Sequence, residues 1–284
     1  MNGKQPNRLR KEQFLHSSSP LKLYRQEVGG RHELHWHEFY ELCFITSGKG
    51  WNIVNGQKHP LTPGSLFLLT PADFHEIYAE GSDSMRLFNL VFDEEMLSDE
   101  LRGLLFADGR LLMADFAPTP AIRIQAEFER IEEETTDRRL GGSLMIRGAM
   151  ERILLELARQ SGVETEAGAS PPPAFSPIQK ALVYMHHHFR DPLPLETAAR
   201  QARLSPNYFS ECFRKHTGMP FQAYLQHLRL TFAVSLLSAS RLPITEVCHI
   251  SGFQTLTHFE RVFKSRYGVS PRRYQKRRTL PDGG

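Results

Sequence analysis

Four side chains in the first third of the chain have types and spacing that could do chemistry: His35, His37, Glu41 and His75. They lie in and after GGRHELHWHEFYELCFITSG, a stretch that reads as extended backbone. Side chains alternate along such backbone, so His35, His37 and Glu41 fall on one face. With His75 they would make a three-histidine, one-carboxylate set suited to a divalent transition metal. The same groups suit two other tasks. Imidazole and carboxylate offer donors and acceptors to a hydroxyl-rich small molecule, and Trp36, Phe39 or Trp51 could stack on a sugar ring. Alternation turns Trp36 away from the His35/His37 face, which ranks Phe39 above it. The histidines could also simply bond among themselves inside a core. We take His35, His37, Phe39, Glu41 and His75 as the small-molecule set, ahead of metal binding by His35, His37, Glu41 and His75. No catalytic residue and no cofactor are assigned.

Short strands must position these groups. ELCFIT (41–46), WNIV (51–54), SLFLLT (65–70) and MRLFNLVF (85–92) are apolar runs separated by turn residues, and the turn after Pro71 leads into a strand carrying His75. Asn55-Gly56 is a strong two-residue hairpin signal. Closely spaced strands with Gly and Pro turns between residues 21 and 92 indicate a small barrel or sandwich. Residues 1–20 read as a polar, flexible arm. Helical periodicity follows over 121–137 and 143–160. The second of these carries apolar residues around much of its circumference, as a helix covered on two sides would, for instance at a dimer contact. Residues 161–177, with four prolines, break every pattern and read as a linker.

A second kind of chemistry sits in the last hundred residues. SPNYFSECFRKHTG (205–218) returns as TLTHFERVFKSRYG (255–268), aligning Phe209 with Phe259, Phe213 with Phe263, Arg214 with Lys264 and Gly218 with Gly268. Ser205 and Thr255 suit helix N-caps, Pro206 the first helical position, and the two glycines left-handed C-caps. The phenylalanines, four apart, share one buried face. The opposite face carries Asn207, Ser210, Glu211, Arg214 and Lys215 in one copy, and Leu256, Thr257, His258, Glu260, Arg261 and Lys264 in the other. Short helices near 195–202 and 244–250 precede the two copies, and a helix of about twenty residues after Pro220 joins them. That makes two helix-turn-helix units on a strut about 30 Å long, close to the 34 Å turn of B-DNA. The His186–His188 run reads as a helix-end surface.

Charge supports a polyanion partner for this region alone. Residues 176–284 hold 16 Lys and Arg against 6 Asp and Glu, whereas residues 1–175 hold 19 against 26. Three scattered cysteines give neither a disulfide framework nor zinc spacing. With no run of 18 apolar residues and no leader-like segment, a cytoplasmic protein without membrane association is expected.

Residues 178–278 resemble the DNA-binding domain of the AraC/XylS regulators, most specifically through GFQTLTHFERVFKSRYGVSPRRYQ (252–275). The Gly29…His35-x-His37…Glu41…Gly48 spacing is similar to the first motif of the cupin barrels; the second motif, around Gly64 and PADFH (71–75), is degenerate. Ala198 and Cys248 depart from the family pattern at core positions. The resemblance implies an α+β multidomain chain: a cupin-like sensor barrel with two following helices (21–160), a linker (161–177) and an all-α double helix-turn-helix domain (178–278). It further implies a transcription activator that binds double-stranded promoter DNA, contacts RNA polymerase, forms a homodimer and answers to a small effector of carbohydrate type. Two alternatives stay open, an effector-independent regulator and a metal-dependent cupin enzyme fused to a DNA-binding domain.

Overall fold

The computed structural model describes residues 7–15, 19–81, 84–106, 111–137, 139–162 and 177–278. The chain divides into two compact units. One runs from Asn7 to Ser176, apart from a three-residue hairpin tip, and the other from Pro177 to Gly284. Most of the linker expected at 161–177 lies outside the described residues.

In the first unit, β1 (Asn7–Leu9), β3 (Arg31–His37), β8 (Phe74–Ala79), β5 (Gly50–Val54) and β6 (Gln57–Leu61) form one sheet in the order β1-β3-β8-β5-β6. The other sheet is β10-β7-β4-β9-β2, built from β10 (Leu112–Asp115), β7 (Ser65–Leu69), β4 (Tyr40–Ser47), β9 (Met85–Phe92) and β2 (Leu21–Val28). Asn55 and Gly56, both at positive φ (52° and 83°), turn β5 into β6, the geometry a two-residue hairpin demands. Strand β4 is buried on both faces, which is why LCFI, after the buried Glu41, reads as an unbroken apolar run. Its Cys43 and Ile45 pack inward with Phe67, Leu69, Ile77, Met85 and Leu87. Its Tyr40, Leu42 and Phe44 face a larger cluster with helices α3 (Pro118–Asp137) and α4 (Gly142–Gln160). Phe128 of α3 stacks on Phe44 and Phe88, with ring centroids 5.8 and 5.3 Å apart.

The structure departs from the sequence expectations in two places here. Residues 7–15, expected to belong to a polar arm, supply β1, paired parallel to β3 at Asn7↔His35, and the short helix α1 (Lys11–Phe14). Helix α2 (Asp99–Phe106) and strand β10 had no counterpart in the sequence reading. Of the apolar residues spread around α4, Leu154 is fully buried within the chain and Leu144 is 75% exposed on it.

The second unit is helical. Helix α5 (Pro177–His188) leads to α6 (Leu195–Gln201) and α7 (Pro206–Thr217), then to α8 (Phe221–Ala239), α9 (Ile244–Ile250), α10 (Leu256–Tyr267) and α11 (Pro271–Arg278). Helix α6 packs on α7, and α9 on α10, with α8 between the pairs in sequence and touching both α7 and α9. At 19 residues, α8 is about 28 Å long. Ala198 and Cys248 are buried. The His186–His188 run is not the solvated helix end that was expected: His187 is buried, His186 Nε2 lies 2.9 Å from the Tyr224 hydroxyl, and His188 stacks on Tyr184. The run faces the helices around it because α5 is covered along most of its length.

Candidate functional sites

The pairing of β3 with β8 sets His35 opposite His75, so residues forty apart in sequence meet on one face of the first sheet. Their rings lie 4.2 Å apart, centroid to centroid. His37, two residues along β3, projects to the same side, and Glu41 reaches the group from β4 of the other sheet. Glu41 Oε2 lies 3.2 Å from His37 Nε2 and 3.2 Å from His75 Nε2. Ligand atoms of His35, Glu41 and His75 all fall within 4.8 Å of one another. His37, Glu41 and His75 are buried, and His35 is half-buried at the rim. All four residues chosen from the sequence therefore converge.

Each group is held from behind. His37 Nδ1 donates to the Phe39 carbonyl at 2.6 Å, and His35 Nδ1 to the Glu33 carbonyl at 2.8 Å. His75 Nδ1 lies 3.3 Å from Asn52 Oδ1. Glu41 Oε1 accepts from Asn89 Nδ2 at 2.6 Å and from the Cys43 thiol at 3.5 Å. Burial, then the adjacent His75, pushes the His35 pKa down to about 4, so its ring is neutral at pH 7. For Glu41, burial alone would raise the pKa; His75 and His37 together outweigh it and hold the carboxyl well below its ordinary range. Burial and the Glu41 charge push the Cys43 thiol up.

Asn52 and Asn89 are the members that sequence reasoning missed. Each is a buried polar residue at an inward position of an otherwise apolar strand, WNIV and RLFNLVF, and that position was the available signal. Phe39 is buried beside Phe14 and stacks on His37 at 4.9 Å and 13°, which places it behind the imidazole. Trp51 carries Lys58 Nζ 3.8 Å over its ring and alternates with inward-facing Asn52, so it stands on the outer side of its sheet.

The second candidate site is the pair of helices α7 and α10. Gly218 and Gly268 close them at φ 74° and 73°, as the left-handed cap requires. Phe209 and Phe213, and likewise Phe259 and Phe263, are fully buried on the inner face. That leaves Asn207, Ser210, Glu211, Arg214 and Lys215 exposed on α7, and Thr257, His258, Glu260, Arg261 and Lys264 exposed on α10, with Leu256 half-buried. Thr255 caps α10 by accepting from His258 N at 3.4 Å. Ser205 makes no such bond, contrary to expectation; Pro206, which has no N–H to satisfy, occupies the first position of α7. On α10 an Arg261 guanidinium nitrogen lies 3.1 Å from His258 Nδ1. Tyr208, 57% exposed on α7, was not singled out from the sequence, where it could as well have been core.

Comparison with known proteins bears on both sites. Residues 21–154 match the AraC-like ligand binding domain, and residues 198–277 match a helix-turn-helix domain. The chain belongs to the AraC family of transcription regulators. The transcriptional activator RhaR of Mannheimia succiniciproducens is 23% identical over 276 residues, covering 93% of this chain and 94% of that protein. The activator RhaS of Escherichia coli strain SE11 is 26% identical over 249 residues, covering 84% and 85%. These AraC-family relatives are transcription activators, not enzymes, and the chain is a DNA-binding regulator with a ligand-binding domain. Among the described residues no helix is long and apolar enough to cross a membrane.

Proposed function

We propose that this regulator binds a small hydroxyl-rich effector, of carbohydrate type, through His35, His37, Glu41 and His75, with Phe39 backing His37. Two recognition helices in the same chain then read a bipartite operator. The observation that carries the reading is the convergence of three histidines and a carboxylate inside the barrel of a chain that also carries the duplicated helix-turn-helix. Asn207, Ser210, Glu211, Leu256, Thr257, His258, Glu260 and Arg261 are the candidates for base edges, and Arg214, Lys215 and Lys264, late in their helices or beside the C-cap, for phosphates. As an activator it would contact RNA polymerase in the cytoplasm, with residues 161–177 linking the sensor and the reading domain. A second copy would dock through α4, where Leu144 and Met145 stand exposed.

An effector changes transcription only if it binds one arrangement of the protein better than another. Promoter binding by the full chain is therefore measured with and without each member of a sugar and hydroxy-acid panel, across a salt series. Operator affinity should fall steeply as salt rises, through release of counterions from the phosphates. One panel member should shift that affinity, and the shift should vanish in a His37→Ala/Glu41→Ala double variant that still binds the operator. A double variant retaining the full response removes the pocket from this place.

A further inference from the structure

We propose that Arg229 is a positioning residue for DNA reading. It holds the loop between α5 and α6 against the middle of α8, where the turn of the second helix-turn-helix also lands, and so fixes the spacing and rotation between the two recognition helices. The proposal deepens the bipartite reading above and rests on it.

Along the chain, the two units are joined through α8, which is flanked by short non-helical connections at 218–220 and 240–243. A strut with such a connection at each end fixes a distance and leaves rotation about its ends to be set by packing. Helices α7 and α9 each pack on α8. A third tie lies midway between them.

Leu230 is the central residue of Phe221–Ala239, so Arg229 and Phe232 stand at the middle of the strut. Arg229 Nε donates to the Phe189 carbonyl at 2.6 Å, and a terminal guanidinium nitrogen donates to the Asp191 carbonyl at 2.9 Å. Between these two grips, the Arg190 guanidinium lies 5.2 Å from the centre of the Phe232 ring. The Phe189 ring meets Phe232 edge-on at 5.3 Å. Pro192 and Pro194 then stiffen the chain up to α6, for which Pro194 is the N-cap. The entry to the first reading unit is thereby pinned to the centre of α8.

The second unit reaches the same loop. Gly252, at φ 84° in the turn between α9 and α10, backs onto Arg190: a Cβ there would lie 2.7 Å from the Arg190 carbonyl oxygen. Its neighbour Phe253 packs 5.1 Å from Phe259 in the core of α10. Contacts therefore close a ring from α8 through α9 and its turn to residue 190, and back through Arg229 to α8. A closed ring turns as one body. Arginine suits this place because its planar fork meets two carbonyls at once, whereas a lysine ammonium offers a single point. These bonds also satisfy carbonyls that the end of α5 leaves open. That service alone would support α5 and would have no effect on half-site spacing.

Each base pair inserted between two half-sites moves the second about 3.4 Å along the duplex and about 35° around it. A rigid reader cannot follow that rotation, and a loosened one can. The operator is first selected with full-length protein from a randomised duplex library. Binding is then measured on synthetic duplexes with one base pair added or removed between its half-sites. The wild-type chain should lose affinity about tenfold for either change. Arg229→Met keeps the buried stem and removes both donors, and should narrow that discrimination to about threefold or less; Arg229→Lys should fall between the two. Wild-type discrimination retained by Arg229→Met overturns the role of Arg229. Should Arg229→Met bind no duplex, Arg229→Lys decides: a narrowed discrimination supports the proposal, and one equal to wild type overturns it. A wild-type chain that protects two half-sites yet ignores their spacing overturns the clamp and leaves bipartite reading standing. Selection of a single half-site overturns bipartite reading and the clamp together.

Discussion

The two helix-turn-helix units are built on one framework and present different surfaces. Each has a seven-residue first helix and a twelve-residue recognition helix. Their turns close by equivalent backbone bonds, Leu204 N to the Ala199 carbonyl at 3.0 Å and Phe253 N to the Cys248 carbonyl at 3.1 Å. Both turns put one residue in the left-handed region, Arg203 at φ 53° and Gly252 at φ 84°. The exposed faces then diverge: Glu211 stands where α10 has Arg261, and Tyr208 where α10 has His258. A repeated core under a charge-reversed surface is what a bipartite reader needs, because both helices must sit at the same depth while meeting different bases. On the proposal that both helices read bases, the second would carry the stronger chemistry, since arginine can pair bidentately with guanine, whereas glutamate can only accept from cytosine.

The framework half of this comparison breaks most visibly in the core. Phe213 packs against Phe209, Phe221 and Tyr224, and Phe263 against Phe259, Tyr267 and Tyr274. Both are fully buried, so alanine at either position should cost about 3–5 kcal/mol. Hydrogen exchange of the helical unit should show similar losses of protection for the two variants. A large loss for one and a small loss for the other would mean the units do not share a framework.

The turns should separate the units. A Cβ on Gly252 would lie 2.7 Å from the Arg190 carbonyl oxygen and 2.8 Å from its Cα, in a backbone conformation that already disfavours side chains. Gly252→Ala should therefore cost about 2–4 kcal/mol, combining strain with overpacking. Arg203 shows that the first turn accepts a side chain at the same conformation. Arg203→Gly trades relief of that strain against the greater freedom of glycine in the unfolded chain, and stability should change by less than about 1 kcal/mol. Melting curves of the full chain compare the two, and equal effects would refute the assignment of crowding to the second turn alone.

How much of this was legible in the sequence depends on the range of the interactions. The recognition helices, their glycine caps and their phenylalanine pairs are set by neighbours within one or two turns, and they stood where the spacing placed them. Alternation accounts only for His35 and His37 sharing a face. The strand ends at His37, so Glu41, expected on the same strand, arrives from β4 of the other sheet, and the opposition of His35 to His75 became visible only in the register of β3 with β8. Asn52 and Asn89 escaped because nothing local links them to a histidine on another strand. Strands β1 and β10, three and four residues long, escaped for a related reason: they exist because β3 and β7 offer edges to pair with, and NRL and LMAD have little tendency of their own.

The surfaces should separate the units in DNA binding. Arg261→Ala should relax preference at one or two base pairs of the operator, costing about 1–3 kcal/mol there if the contact is bidentate to guanine. Glu211→Ala should relax preference at a different base pair, one helical turn away along the DNA, by a smaller amount. Lys264→Ala should weaken all sequences about equally, because phosphate contacts carry no sequence information. Selection from a randomised operator library reads all three variants at once. A uniform loss for Arg261→Ala paired with a sequence-specific loss for Lys264→Ala would show that the helix enters the groove in a different rotation.

The smallest expected difference lies at the helix starts. Thr255 accepts from His258 N, satisfying one of the backbone donors that the first turn of α10 leaves open. Ser205, at the matching place, makes no such bond, and Pro206 presents one fewer donor to satisfy. The second unit also has one more residue, Gln254, between its turn and its recognition helix, and Thr255 has a more extended φ (−133°) than Ser205 (−67°). Thr255→Ala should therefore cost about 1 kcal/mol, the ordinary worth of an N-cap, while Ser205→Ala should cost only a few tenths. Because the loss is confined to one turn, it is best read locally, as faster hydrogen exchange at the His258 amide in Thr255→Ala with no comparable change at the Tyr208 amide in Ser205→Ala. Equal acceleration at both amides would mean that Ser205 caps α7 in solution, and the two helix starts would then be as alike as the cores beneath them.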